Sequence, residues 1–169
     1  AANWPGVLGF EAGVDWNQVA VIDACDQVKA KTAMAAWAIK ARSPFISVGA
    51  AGGKRLAHKV DIEDLSLVTH DPLLAQMRNR LRKEHGAARD KKKIGVACVF
   101  SREAVMQPGA VTDMVGDALL PDDSQPDSAV DDQNDATLNC HGYGSVVTVT
   151  STFGLCAAGW VLGKIAEAA

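Results

Sequence analysis

The sequence predicts an α/β fold built around a parallel βαβ unit, and three segments near its start carry this prediction. Residues 19–22 are four consecutive apolar residues followed by Asp23, which is typical of a strand buried on both faces of a parallel sheet. Residues 27–42 then repeat apolar and small side chains at helical spacing, and residues 45–48 form a second short apolar run. A strand, a helix and a strand in this order predict two parallel strands.

The helical segment has basic side chains between its apolar positions. Lys29, Lys31, Lys40 and Arg42 fall at these intervening positions, so a basic outer side is expected. Pro44 follows the segment and marks the end of the helix.

Length, charge and cysteine content narrow the class of protein. The 169 residues suit one domain, 1–169, and a net charge of −3 gives no overall attraction to nucleic acid or to an anionic membrane. The four cysteines form no C-x-x-C pair, so their spacing supports neither a zinc ribbon nor a thioredoxin-like motif, and a reducing, cytoplasmic environment fits best. No secretory signal pattern opens the chain.

The middle of the chain predicts an edge strand, a helix and another apolar strand. Residues 56–62 alternate apolar and polar side chains, with His58 on the apolar side as an expected hydrogen-bonded core histidine. Asp71 and Pro72 form a strong helix start, and residues 94–101 are a further apolar strand. The buried stripe of the intervening helix is predicted to consist of Leu73, Leu74, Met77 and Leu81.

The only dense basic cluster covers this helix and the loop after it. Its arginines and lysines can each neutralise a phosphate, which indicates RNA binding; a solvated helix face followed by a mobile loop explains the same residues. The candidate RNA-binding residues are Arg78, Arg80, Arg82, Lys91, Lys92 and Lys93.

Two later segments have unusual composition. Residues 107–139 are predicted to be a flexible acidic insertion, because residues 121–139 carry six aspartates and no basic residue, without the spacing of a calcium-binding loop. Residues 146–165 have no charge before Lys164 and are long enough to cross a bilayer. Their glycines and hydroxyl residues favour a helix buried in a protein core instead.

Two features lie where parallel strands end, the edge at which α/β sheets bind ligands. Asp26 follows the first strand, where its carboxylate can hold Mg²⁺ against phosphates or can cap the next helix; spacing alone favours the cap. Residues 49–53, Gly-Ala-Ala-Gly-Gly, allow close approach of a ligand or of another backbone segment. A bend before the next strand is the favoured interpretation of this loop.

Taken together, six ordered segments resemble one family, the tRNA threonylcarbamoyladenosine dehydratases, a branch of the ubiquitin-activating-enzyme-like adenylating proteins. The resemblance runs from about residue 15 to the C-terminus, except for residues 107–139. It implies the C-terminal part of a Rossmann-like fold with a mixed sheet flanked by helices. The segments are 21–26 (VIDACD), 49–53 (GAAGG), 71–73 (DPL), 95–101 (GVACVFS), 142–144 (GYG) and 150–154 (TSTFG).

The resemblance also implies an activity and its residues. The family uses ATP to adenylate the carboxylate of threonylcarbamoyladenosine in tRNA, and the activated group then closes into a ring with loss of water. By this similarity Asp26 is the catalytic carboxylate that binds Mg²⁺ and ATP, and Asp23 and Lys31 belong to the nucleotide pocket. Cys98 matches a recurrent cysteine of the family. A thiolate nucleophile is chemically possible there, but a cysteine in an apolar strand favours a structural role.

Partners and alternatives follow from the same resemblance. It implies tRNA as substrate, a homodimer, a sulfur-acceptor or cysteine-desulfurase-system protein as a further partner, and no membrane. Adenylation of a ubiquitin-like sulfur carrier is the alternative activity, which the missing C-x-x-C pairs disfavour, and a non-catalytic tRNA-binding or partner-binding fragment is another. The family's glycine-rich ATP-binding half is not in this sequence. The isolated chain is therefore expected to be inactive and prone to associate through exposed strand and helix surfaces.

Overall fold

The structure, a computed structural model, describes residues 19–89, 92–106 and 144–168. The predicted flexible insertion, 107–139, lies outside these residues. The described residues form four strands and three α-helices: β1 (Val21–Asp23), α1 (Val28–Ala41), β2 (Phe45–Val48), β3 (Val60–Asp64), α2 (Pro72–Glu84), β4 (Ala97–Ser101) and α3 (Val147–Ala168).

The strands form one mixed sheet in the order β1-β2-β4-β3. β1 and β2 are parallel, with Val21 opposite Phe45, and β2 is parallel to β4. β3 is antiparallel to β4 and occupies the other edge. The predicted βαβ unit, the edge strand and the mixed sheet are therefore confirmed.

Helices cover both faces of this sheet. α1 and α2 contact each other and enclose one hydrophobic cluster with the sheet, centred on Phe45, Met77 and Phe100. α3 packs on the opposite face, where Phe153 meets Ile46 in a second cluster. The predicted stripe of α2 is confirmed, since its buried residues are Leu73, Leu74, Met77 and Leu81.

Three details of the sequence prediction are wrong. β1 is not buried on both faces: Ile22 is 44% exposed, because β1 is an edge strand of the described sheet. The strand predicted from residue 56 begins at Val60, after a 3₁₀ turn at Ala57–Lys59. His58 lies in that turn and is exposed, so it is not a core histidine.

α3 is much less buried than the sequence predicts. Its buried residues are Val149, Phe153 and Ala157, a single stripe at helical spacing, because the described sheet covers only one side of the helix. Leu155 and Leu162 on other sides are mostly exposed. Among the described residues, α3 is the one helix long and apolar enough to cross a membrane by length and composition.

Candidate functional site

A cavity of about 830 Å³ opens where β1 and β2 end. The beginnings of α2 and α3 close its sides, so four elements meet at the edge of the sheet where α/β proteins bind ligands. Residues that line the cavity are Ile22, Ala24, Asp26, Val48, Gly49, Ala50, Ala51, Gly52, Pro72, Leu73, Gln76, Val105, Gly144, Ser145, Thr150, Phe153 and Gly154.

Asp26 is the only ionisable side chain among these described lining residues. It is exposed, and it does not cap α1 as the spacing predicted. Gln27 occupies the N-cap position instead, without a side-chain cap hydrogen bond. The turn after β1 therefore presents the Asp26 carboxylate to the cavity instead of to the helix backbone.

Asp23 and Lys31 lie in a buried network and do not line this cavity. The Lys31 ammonium donates to Asp23 Oδ2 at 2.8 Å, to Ser47 Oγ at 3.1 Å and to the Val48 carbonyl at 2.8 Å. Asp23 Oδ1 accepts from the Cys25 backbone N–H at 3.1 Å. Lys31 is fully buried, so its expected place on an exposed basic side is wrong. That either residue contacts a nucleotide stays a prediction.

The glycine loop is fixed by contacts with the start of α2. Asp71 accepts from the Leu74 N–H as N-cap of α2, as predicted, and its other oxygen accepts from the Ala50 N–H at 2.9 Å. A Cβ at Gly49 would lie 2.1 Å from that oxygen, and Gly53 has a φ of +69°. Close approach of the Asp71 side chain therefore explains Gly49, and a bend explains Gly53. The loop also forms a cavity wall.

A second buried lysine behind this wall was not predicted from the sequence. The Lys54 ammonium donates to the carbonyls of His70 at 2.7 Å, Ser101 at 3.3 Å and Glu103 at 2.5 Å. Burial lowers the pKa of Lys54, although Asp71 and Glu103 act to raise it. Lys54 thus connects the loop after β2 with the start of α2 and the end of β4. The Gly-Gly-Lys sequence by itself does not indicate these contacts.

The Glu103 carboxylate holds the same loop from the other side. It accepts from the backbone N–H groups of Arg55 at 2.9 Å and Leu56 at 2.8 Å. Burial acts to raise the pKa of Glu103, but these hydrogen bonds and the charge of Lys54 lower it overall. Glu103 is therefore held in its charged form, and it fixes the chain just beyond the glycine loop.

Cys98 lies in the core, as its apolar strand predicted. Its side chain is fully buried, and burial raises the pKa of its thiol well above the ordinary range. Cys25, next to Asp26, is half-buried. Burial is the main cause that raises the pKa of its thiol to about 11, and the Asp23 carboxylate raises it further. A raised pKa removes thiolate at neutral pH, which supports the structural role of Cys98.

Several basic side chains of α2 contact other groups of the protein. The half-buried Arg78 donates to the carbonyls of Leu65 and Val68, and Arg82 donates to the Ala88 carbonyl. Arg80 Nε lies 3.9 Å from Glu84 Oε1. Among the other predicted RNA-binding residues, Lys92 and Lys93 are exposed, and Lys91 lies outside the described residues.

The residues around the cavity fit Mg²⁺ when phosphates complete its coordination. The described residues contain no group of three or more His, Cys, Asp or Glu side chains that could hold a metal by themselves. Mg²⁺ is typically held by one or two carboxylates together with substrate phosphates and water. The single exposed carboxylate of Asp26 in a roomy cavity matches that type of site.

No family model matches the chain, but comparison with known proteins finds relatives that share one name. Two curated proteins are named tRNA threonylcarbamoyladenosine dehydratase. The one from Escherichia coli K12 is 34% identical over 150 residues, 86% of this chain and 51% of the relative. The one from Haemophilus influenzae is 31% identical over 147 residues, 86% of this chain and 49% of the relative.

Solved structures show the same relationship at 30% sequence identity. A protein described as TcdA (CsdL) superposes with a TM-score of 0.65 over 88% of this chain and 49% of its own. The E. coli dehydratase TcdA superposes with a TM-score of 0.64 in its complexes with ATP and with AMP, over 48% and 49% of its length. The chain is thus related in sequence and fold to the tRNA threonylcarbamoyladenosine dehydratases, as its motifs predicted, and spans about half the length of these relatives.

Proposed function

We propose that this chain forms part of an ATP-dependent enzyme that dehydrates threonylcarbamoyladenosine in tRNA to a cyclic form. The proposal rests on the cavity at the ends of β1 and β2. Among the described residues that line it, only Asp26 is ionisable, and the fold is shared with relatives solved in complex with ATP and with AMP. Asp26 is the proposed catalytic and metal-binding carboxylate. The cavity holds the reacting ends of ATP and the modified nucleoside.

The chemistry requires activation because a carboxylate oxygen is a poor leaving group. Adenylation joins that oxygen to the α-phosphorus of ATP and releases pyrophosphate. Ring closure by a nucleophile of the substrate then expels AMP, and the net change is loss of one water from the nucleoside. Bound Mg²⁺ would offset negative charge on the phosphates, with Asp26 as its protein ligand.

The surroundings of Asp26 suit this role. The buried pair of Asp23 and Lys31 fixes the end of β1, and Asp23 holds the next turn through the Cys25 N–H. The backbone of the glycine loop forms the adjoining wall, so a phosphate can approach main-chain atoms closely. Asp23 and Lys31 act through Asp26 in this proposal, as positioning residues.

The proposal also covers the substrate, location, assembly and partners of the protein. The proposal includes tRNA as substrate, a cytoplasmic location, a homodimer, and no activity of the isolated chain. The exposed apolar side of α3 supports association, since Val147, Leu155 and Leu162 are 72%, 74% and 66% exposed. The family resemblance alone supports a sulfur-acceptor or cysteine-desulfurase-system partner.

A chimera tests the proposed activity. This chain replaces the matching segment of the E. coli relative, and the chimera is incubated with Mg-ATP and tRNA that carries threonylcarbamoyladenosine. Mass spectrometry of the digested tRNA is expected to show a nucleoside lighter by one water. Asp26→Asn should abolish this product, whereas Glu63→Gln, which changes a half-buried carboxylate outside the cavity, should retain it.

Binding is measured separately so that a failed assay remains interpretable. Calorimetric titration of Mg-ATP into the chimera should show binding that Asp26→Asn weakens by at least about tenfold, the loss expected from one charged ligand. A folded chimera that binds no Mg-ATP, or an Asp26→Asn variant with full Mg²⁺-dependent activity, would contradict the proposal. Circular dichroism of each variant identifies any that fail to fold.

A further inference from the structure

One exposed face of α2 begins at the cavity and ends in positive charge. Pro72 and Gln76 line the cavity, and Asn79 and Lys83 follow on the same exposed side at helical spacing. The residues buried on the opposite side are Leu73, Leu74, Met77 and Leu81. The exposed side therefore forms a continuous polar track from the cavity to the basic end of the helix.

The loop after α2 adds cations at this basic end. Arg82 donates to the Ala88 carbonyl, and the Ala87 N–H donates to the Leu81 carbonyl, so the loop is attached to the last turn of the helix. Lys92 and Lys93 follow this attached loop and are exposed. Lys83, Lys92 and Lys93 thus provide exposed charge, in contrast to Arg78 and Arg82, which donate to protein carbonyls.

We propose that this track, Gln76, Asn79 and Lys83 with Lys92 and Lys93, binds the RNA strand that flanks the nucleoside in the cavity. The proposal rests on the proposed function for the identity of that nucleoside. An α-helix rises 1.5 Å per residue, so Gln76 and Lys83 lie roughly 10 Å apart along the axis, about the length of three stacked nucleotides. Amide side chains near the cavity and ammonium groups beyond it suit bases and phosphates respectively.

The composition of the track favours RNA over a protein partner. None of the large exposed apolar side chains in the described part of the chain lies on α2, whereas protein interfaces are usually centred on apolar or aromatic anchors. Glu84, the exposed acid in this helix, pairs with Arg80. A polar and cationic surface without apolar anchors is typical of a phosphate-binding face.

The test uses two triple variants with the same change in net charge. Lys83→Gln/Lys92→Gln/Lys93→Gln removes the cations of the track, and the control Lys59→Gln/Arg102→Gln/Lys164→Gln removes three cations at the β3 edge and on α3, away from α2. Fluorescence anisotropy measures binding of an anticodon stem-loop RNA without ATP. At about 0.1 M salt the track variant should bind about tenfold more weakly or worse, and its log-log salt slope should fall by about 2.

The control variant should lose less than about threefold under the same conditions, because distant charges are largely screened. Equal losses in both variants would overturn the proposal, and so would competition by polyglutamate as effective as that by unlabelled RNA. A photo-crosslinking residue at Asn79 should label the RNA, whereas one at Leu162, exposed on α3 at the opposite face of the sheet, should not. Because no ATP is present, failure of this test is distinct from failure of Asp26-dependent Mg-ATP binding.

Discussion

Lys31 Nζ and Asp23 Oδ2 lie 2.8 Å apart, and both side chains are fully buried three to five residues from Asp26. The same ammonium donates to Ser47 Oγ and to the Val48 carbonyl, so one cation joins the carboxyl ends of β1 and β2. A buried ion pair is stable only when hydrogen bonds satisfy its remaining polar atoms, and this network supplies them. The ends of these two strands, which lie beside the candidate site, are therefore fixed by charge as well as by packing.

Removal of the lysine should be costly because it leaves a buried carboxylate without a counter-charge. We expect Lys31→Met to lower the free energy of unfolding by about 3–5 kcal/mol, measured by urea denaturation. The double variant Lys31→Met/Asp23→Leu should lose less than the single variant. A Lys31→Met protein as stable as the parent would show that the pair contributes nothing.

The elements of the fold were predictable because each has a local pattern. Apolar runs predicted β2 and β4, and the Asp71-Pro72 start with its apolar stripe predicted α2 correctly. The direction of Lys31 was not predictable. α1 is rich in alanine and has small residues on several sides, so periodicity does not distinguish an inward lysine from an outward one.

The site was only partly predictable for a related reason. Asp26 and the glycine loop were identified by their position after strands, a rule that follows from the topology of parallel sheets. Lys54 was missed because its three carbonyl partners come from segments 16 to 49 residues away. Exposed helix surfaces were expected, but which side of α3 lies open could not be predicted, because helix hydrophobicity does not show which surfaces a neighbour covers.

Gly49 and Gly159 form a matched pair for testing the glycine loop. A Cβ at Gly49 would lie 2.1 Å from Asp71 Oδ2, so Gly49→Ala should disrupt the α2 cap and destabilise the protein by about 1–3 kcal/mol. A Cβ at Gly159, inside α3, meets nothing within 4 Å, so Gly159→Ala should stabilise by about 0.5–1 kcal/mol. Thermal unfolding of both variants measures the contrast, and equal shifts would refute it.

Asp64 should make stability depend on pH in the acid range. Burial acts to raise its pKa, but hydrogen bonds from Ser66, Ile94 and Gly95 lower the pKa below the ordinary 3.8. Its folded pKa is depressed, so its contribution is complete above about 3.8 and is lost as pH falls through the folded value.

We therefore expect Asp64→Asn to cost about 1–3 kcal/mol at pH 7 and to reduce the loss of stability below about pH 4. Urea denaturation at a series of pH values measures both effects. Glu84→Gln serves as the control because its carboxylate is exposed on α2. An Asp64→Asn variant with the parent's pH profile would mean that these hydrogen bonds do not set acid stability.

The exposed side of α3 should drive self-association of the chain. Leu155 and Leu162 are seven residues apart and therefore lie on one side of the helix, where both are mostly exposed. We expect the parent chain to sediment as a dimer or larger species and Leu155→Glu/Leu162→Glu to shift it toward monomer. Leu67→Glu, an exposed leucine outside α3, should not. A monomeric parent chain would contradict this prediction.

Cys98 should be chemically inert in the folded protein. It is fully buried in β4, and burial raises the pKa of its thiol, so iodoacetamide at pH 8 should modify it only after unfolding. Cys98→Ala should cost about 1–2 kcal/mol through lost packing, yet the chimera should retain ring closure within about twofold. Peptide mass spectrometry and the dehydration assay measure the two effects. A folded Cys98→Ala chimera that binds Mg-ATP but cannot close the ring would instead identify Cys98 as a nucleophile, because only the covalent step would then be missing.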